Sequence, residues 1–283
     1  MDHKLFQADS LLVLSKSVTT IFCMAILLLS GLCSFANDID AQDEDPTFKQ
    51  NSFTWMHETT GMAKQTFSDK KNLELLGVTA LGSAALILSN GDDEIRSTFD
   101  DINLPSGVGT AGNVLGGAGP FLLDLGLYTH GKINDNERSV EVSKVLSSAL
   151  AIDLAVGGAM KLSIGRHRPD DGSSGEFDPF TFDNRSFPSG HTSLSFTTAT
   201  VLAEMYDDKR WVGVSAYSTA TFVGIARISD DSHWASDVLF GAVKGYVIGK
   251  SVSNLHKNGK LEGVNIIADL GEDNSRIGLG FTF

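Results

Sequence analysis

The chain has 283 residues, 42% of them hydrophobic, a mean hydropathy of +0.01 and a formal net charge of −13. That length allows one large domain or two small ones with a substantial core. The acidity excludes an ordinary nucleic-acid binder, and the balanced hydropathy argues against a chain made mainly of membrane spans, so a largely soluble body is expected.

Residues 1–36 read as a signal peptide or N-terminal anchor. Lys4 and Lys16 precede an apolar run from Ile21 to Leu32, and Ser34-Phe35-Ala36 offers a small–x–small cleavage pattern. This predicts export across the inner membrane and a periplasmic or envelope-associated address. Cys23 and Cys33 both lie in this segment, so the mature chain is expected to hold neither a disulfide nor a thiolate metal site.

Residues 37–50 are acidic and without periodicity, a flexible lead-in. A short amphipathic helix is predicted over 51–67. The nearly all-apolar run Leu73–Leu88 is marginal in length for a membrane span, and its small residues favour a core helix in a buried bundle. A short helix over 92–99 and a glycine-rich apolar stretch over 108–129 follow, the latter broken or started by Pro120. Ser139–Ile164 reads as one long helix. Residues 170–184 form a loop of acids, glycine, serine and aromatics, which serves as a lid, a substrate rim or a plain connector. Helices are predicted again over 191–206, 211–226 and 234–255. Beyond Lys260, apolar residues alternate at Val264, Ile266, Ala268 and Leu270, then at Ile277, Leu279, Phe281 and Phe283. The expected fold is all-α, a helical bundle of about six core helices over 51–260, with a short C-terminal β-hairpin over 261–283.

Three segments concentrate the chemistry. In the first, Lys161 and Arg168 stand seven residues apart and share a face if the helix persists. A point charge and a planar fork suit one anion, and a solvated basic helix end is the alternative. In the second, Pro188 suits a turn, Ser189 an N-cap and Gly190 a close backbone approach. The free N–H groups behind them make an anion site with His191 at its mouth. In the third, Arg227 adds a second fork, and His233 and Asp237 stand four apart. With Ser232 as cap the two stack on one helix face, Asp237 accepts the Nδ1–H, and Nε2 is left as a nucleophile. A surface pair is the alternative. His191 remains as the acid for the leaving oxygen. Cations, hydroxyls and amides held in place are what a phosphoryl transition state needs, without a metal.

Together the segments resemble the type-2 phosphatidic acid phosphatase superfamily, which includes lipid phosphate phosphatases, class A acid phosphatases and vanadium haloperoxidases. Its motifs are Lys, six residues, Arg-Pro (Lys161 to Pro169); Pro-Ser-Gly-His (Pro188 to His191); and Ser-Arg, five residues, His, three residues, Asp (Arg227, His233, Asp237), with Ala226 in place of the serine. The resemblance implies an all-α bundle and a phosphatase of phosphomonoesters or pyrophosphates, acting on a lipid phosphate or a small soluble ester. It puts the phospho-histidine on His233, the general acid on His191 and the orienting role on Asp237. It puts phosphate binding on Lys161, Arg168, Ser189, Gly190 and Arg227, with no cofactor and no metal. Arg166 and His167 stand beside the first motif as helpers only. Ala226 is expected to lower activity or loosen Arg227. Phe177, Phe180 and Phe182 offer peripheral membrane contact, and no nucleic-acid partner is expected. Two further readings remain open: a vanadium-dependent haloperoxidase, and a non-catalytic envelope protein that binds phosphate or lipid headgroups.

Overall fold

The computed structural model describes residues 46–259 apart from 103, 106 and 182–184, together with the backbone of 265–271 and 274–280. The expected signal segment over 1–36, most of the lead-in, and Phe182 lie outside the described residues. The C-terminal β-hairpin expected over 261–283 is not supported as part of the fold, because no side chain there is described.

Nine helices are found among the described residues: α1 (Pro46–Thr66), α2 (Lys70–Leu88), α3 (Gly91–Ile102), α4 (Gly107–Gly116), α5 (Gly119–Ile133), α6 (Glu137–Ile164), α7 (Gly190–Met205), α8 (Arg210–Ser229) and α9 (Ala235–Lys257). Their boundaries follow local chemistry. Asp69 caps α2 by accepting from the amides of Lys71 and Asn72 at 2.8 and 3.2 Å. Pro120 sits in the first turn of α5, where its missing N–H costs nothing. Asn136 caps α6 by accepting from the Ser139 amide at 3.0 Å. Gly165 ends α6 in the left-handed region at φ +60°, and a Cβ there would lie 1.9 Å from the Asp178 carbonyl oxygen. Only glycine fits both demands, and from it the chain turns into the 165–189 loop.

Helices α2 and α5–α9 run alternately up and down. One end of the bundle gathers the end of α6, the start of α7, the end of α8 and the start of α9. At the other end, Arg138 at the start of α6 donates to the Met205 carbonyl at the close of α7, and Lys257 at the close of α9 pairs with Asp207 at 3.1 Å.

Helix α7 is the axis. Gly241, Gly245 and Gly249, one turn apart on α9, lie against it. A Cβ on these glycines would come within 2.7 Å of Ser189 O, 2.3 Å of Ser193 O and 2.8 Å of Thr197 O. The two backbones therefore touch, with no side chain between them. Just below the start of α7, Lys244 pairs with Asp153 at 2.9 Å, with side chains 1% and 2% exposed, and Ser193 donates to the same carboxylate at 2.5 Å.

The exterior departs from expectation. The run Leu73–Leu88 is not a core helix: only 17% of the apolar window of α2 is buried, and Val78 and Leu88 are 68% and 85% exposed. Phe121, Leu122 and Leu125 on α5 and Trp211 and Val214 on α8 are exposed as well. Among the described residues, two helices, α2 and α6, are long and apolar enough to cross a membrane, although α6 is mostly buried inside the bundle. The expectation of a largely soluble body rested on mean hydropathy, which averages this apolar exterior with charged helix ends.

The helix contact is open to test. Gly245→Val should lower stability by about 1–3 kcal/mol, because backbone must shift to admit it. Gly158→Ala, with nothing within 4 Å of its new carbon, should be neutral or mildly stabilising. Thermal unfolding of the two purified variants in detergent checks the contrast.

Candidate active site

The site is built where the bundle end gathers its helix termini. Ser189 is the N-cap residue of α7, fully buried, with its hydroxyl 2.9 Å from that of Thr192. Its amide donates to the Asp237 carbonyl at 3.1 Å, which ties the start of α7 to the first turn of α9. The α7 amides open into this end, where the dipole favours an anion.

Lys161 reaches across from α6. Its ammonium donates to the carbonyls of Arg185 and Ser186 at 2.6 and 3.3 Å, and its stem lies beside Gly190, 3.7 Å from where a Cβ would stand. Arg168 is not on the same helix face as Lys161, since α6 stops at Ile164. It stands exposed on the loop, and its charge acts on Lys161, His191, Arg227 and His233 alike. His191 packs on the end of α4, where a Cβ on Gly117 would lie 3.1 Å from Nε2 and one on Gly116 would lie 2.9 Å from its own Cβ.

Arg227, 3% exposed, donates to the Gly109 carbonyl and pairs with Asp230 at 2.7 Å. Its neighbour Ala226, where the resemblance expects serine, is fully buried against Gly112, with no room for a Cβ between them. The expected loosening of Arg227 is not found: α4 and Asp230 hold it.

His233 lies in the turn before α9, 3% exposed. Its Nδ1 is 3.6 Å from Asp237 Oδ2, too long for a direct hydrogen bond. The hydroxyl of Ser186 stands between them, 3.4 Å from Nδ1 and donating to Asp237 Oδ2. Helix α9 starts after Trp234 rather than after Ser232, and Asp237 Oδ2 accepts the Trp234 amide at 3.0 Å. The pair therefore joins a turn to a helix start, not two steps of one helix face. Burial pushes the His233 imidazole down to about 4 against the pull of Asp237, with Lys161 and Arg168 adding to the fall.

Sequence reasoning missed the layer behind. Arg166, read as a helper, is fully buried. It donates to Asp237 Oδ1 at 2.5 Å and to Asp92 Oδ2 at 2.7 Å, and to the Ser174 carbonyl through Nε at 3.0 Å. Asp92 on α3 also accepts the Ser236 amide at 2.8 Å. The signal for Arg166 was its place beside the first motif, and Ser186 had a similar place beside the second. Asp92 carried none. The loop is folded back on this layer: the His167 amide donates to the Glu176 carbonyl at 3.1 Å, and Trp234 donates through its indole to the His167 carbonyl at 2.9 Å. His167 itself faces outward, and its Nε2 is 2.9 Å from Asp178, which raises its proton affinity.

Residues 144–260 match the model of the PAP2 superfamily. The lipid A 1-phosphatase of Porphyromonas gingivalis is 39% identical over 118 residues, 40% of this chain but only 24% of that protein's length. The crystal structure of the first transmembrane PAP2 type phosphatidylglycerolphosphate phosphatase from Bacillus subtilis shares the fold, with a TM-score of 0.51 at 22% identity, over 67% of this chain and 97% of that one.

The buried imidazole makes stability depend on pH. Unfolded, His233 titrates near its ordinary value of 6.5; folded, it titrates at about 4. Between the two the unfolded state binds the extra proton, so stability is full above pH 6.5 and falls as pH drops towards 4, by at most about 3 kcal/mol from this group. His233→Gln should flatten that part of the stability–pH curve measured by thermal unfolding. An identical slope in the variant would assign the acid sensitivity to other groups.

Proposed function

We propose that this chain, a PAP2-superfamily protein through residues 144–260, is a phosphatase of lipid phosphates that works through a phospho-histidine. The observation that carries the reading is the convergence of Lys161, Arg168 and Arg227 on the amide end of α7, with His191 and His233 in the same electrostatic neighbourhood. Such a constellation matches the charge of a transferring phosphoryl group, spread over its non-bridging oxygens.

In this reading the three cations and the Ser189–Gly190 end of α7 hold the phosphate. The Nε2 lone pair of neutral His233 attacks phosphorus, and the bond to the leaving oxygen breaks. Burial and the nearby Arg227, Lys161 and Arg168 lower the proton affinity of His191; the negative charge of the bound phosphate opposes them, so His191 is protonated with substrate bound and gives its proton to that oxygen. Neutral His191 then takes a proton from water, the water oxygen attacks phosphorus, the N–P bond breaks, and inorganic phosphate leaves with both imidazoles restored. Burial of His233 keeps it neutral, and so nucleophilic, through the mildly acidic range. The cationic side chains supply the charge neutralisation, so the step needs no metal.

The apolar exterior favours a lipid substrate over a soluble ester. Helices α2, α5 and α8 expose leucine, valine, phenylalanine and tryptophan along their length, which water disfavours and acyl chains accept. Several basic residues stand at helix termini of the far end of the bundle, Lys70, Lys71, Lys132, Arg138, Lys209 and Lys257, whereas Arg96 lies near the site end, paired with Asp231. By the positive-inside bias that end faces the cytoplasm, and the site opens on the opposite, periplasmic side.

Two measurements test the chemistry. His233→Ala should reduce turnover of a long-chain lipid phosphate to background. His191→Gln should slow the same substrate by about 10²–10⁴-fold, yet slow a p-nitrophenyl ester far less, since that leaving group needs no proton. Wild-type turnover in His233→Ala would remove the phospho-histidine. A panel in which soluble esters exceed lipid phosphates in kcat/KM would remove the lipid assignment.

A further inference from the structure

The site as described leaves one buried cluster unused. Arg166 bridges two carboxylates: Nη1 holds Asp237 Oδ1 at 2.5 Å and Nη2 holds Asp92 Oδ2 at 2.7 Å, with every side chain fully buried. Asp92 comes from α3, upstream of the matched segment, and also accepts the Ser236 amide and hydroxyl at the start of α9.

We propose that Asp92 and Arg166 are positioning residues for the phosphoryl-transfer step, which set the orientation and the basicity of Asp237 and through it those of His233. Three features of the geometry carry this. First, Arg166 occupies one oxygen of Asp237, so that only Oδ2 is presented to Ser186 and the His233 ring. A carboxylate that turned would lose that presentation. Second, Arg166 alone would withdraw charge from Asp237, and Asp92 on its far side offsets it. Asp237 therefore stays a strong acceptor where imidazolium character develops on His233. Third, Asp92 fixes the first turn of α9 through the Ser236 amide, so the carboxylate and the His233 turn move as one unit.

The groups facing His233 are Lys161 and Arg168 on one side and Ser186 and Asp237 on the other. Those facing Asp237 are Arg166, Ser186 and the Trp234 amide. Of these, only Arg166 is itself answered by a further buried charge, that of Asp92. The inference rests on the phosphatase reading for its kinetic arm and stands apart from it in its spectroscopic arm.

The test uses the full chain in detergent: wild type, Asp92→Asn, Arg166→Gln and the double variant. Each is read by kcat and KM on a lipid phosphate and by the NMR titration midpoint of His233, assigned by loss of its signal in His233→Gln. Each single change should lower kcat by about tenfold or more at little-changed KM, and the double should be no worse than the weaker single, because both act through Asp237. In Asp92→Asn the His233 midpoint should fall, since Arg166 is then unopposed. Additive losses in kcat, or a lower Tm with kcat and the His233 midpoint at wild-type values, would overturn the proposal. If Arg166→Gln does not fold, Asp92→Asn decides alone: a lower kcat with a shifted midpoint supports it, and unchanged values overturn it. If wild type turns over no phosphate ester, the phosphatase reading falls, while the midpoint in Asp92→Asn still decides this one.

Discussion

The site depends on the direct backbone contact between α7 and α9. Glycines at 241, 245 and 249 remove every side chain from that seam, and the Ser189 amide closes its upper end on the Asp237 carbonyl. A helix pair separated by leucines sits 8–10 Å apart, typically, between axes. Here the absence of a Cβ on the α9 side brings the amide end of α7 against the first turn of α9. The same contact sets His191 and His233 at neighbouring helix starts, although they stand some forty residues apart in the chain. The chemistry then follows from helix geometry: amide ends converge, and with them the positive ends of the dipoles.

Buried charge beneath the seam is organised by a different balance. Replacing a buried ion pair by apolar residues is often neutral, whereas removing one partner costs about 3–5 kcal/mol. The pairs Lys244–Asp153 and Asp92–Arg166–Asp237 thus add little net stability, yet they penalise any displacement of a member. Both groups end on the site. Asp153 accepts from Ser193, just below His191, and Arg166 holds the carboxylate that faces His233 through Ser186. Stiffness at a fixed geometry is what a nucleophile and a proton donor on either side of one phosphorus require.

Much of this was legible in the chain because it is written locally. Helix limits follow from single residues such as Asp69, Pro120 and Gly165, each of which acts within its own turn. The residues proposed to bind phosphate stand in three short segments, and the amide end of α7 was readable from Ser189 and Gly190 alone. What escaped depends on distance. Arg166 lies among charged, exposed-looking neighbours, and nothing in its own segment says that a carboxylate 74 residues upstream awaits it. Asp92 opens the short helix predicted over 92–99, in a run of acids with no motif beside it. Ser186 acquires its place between His233 and Asp237 only when three segments meet. The helical-face argument for His233 and Asp237 failed for a similar reason, since Asp237 caps α9 and His233 precedes it.

The exterior of α2 escaped for a reason of another kind. A helix of leucine, alanine and glycine looks the same whether protein or acyl chains cover it, since both are apolar surroundings, and periodicity reports only the contrast between an apolar and a polar side. Burial separates the two cases. In α6 the apolar window is 61% buried and in α2 it is 17% buried, at nearly equal mean hydropathy of 1.5 and 1.3. The net acidity of the chain is unevenly placed. Its carboxylates cluster at α3, along the 165–189 loop and at Asp230–Asp231, around a site that is itself cationic. A global charge of −13 and a local cluster of Lys161, Arg168 and Arg227 are therefore compatible, because the outer acids act through water and salt.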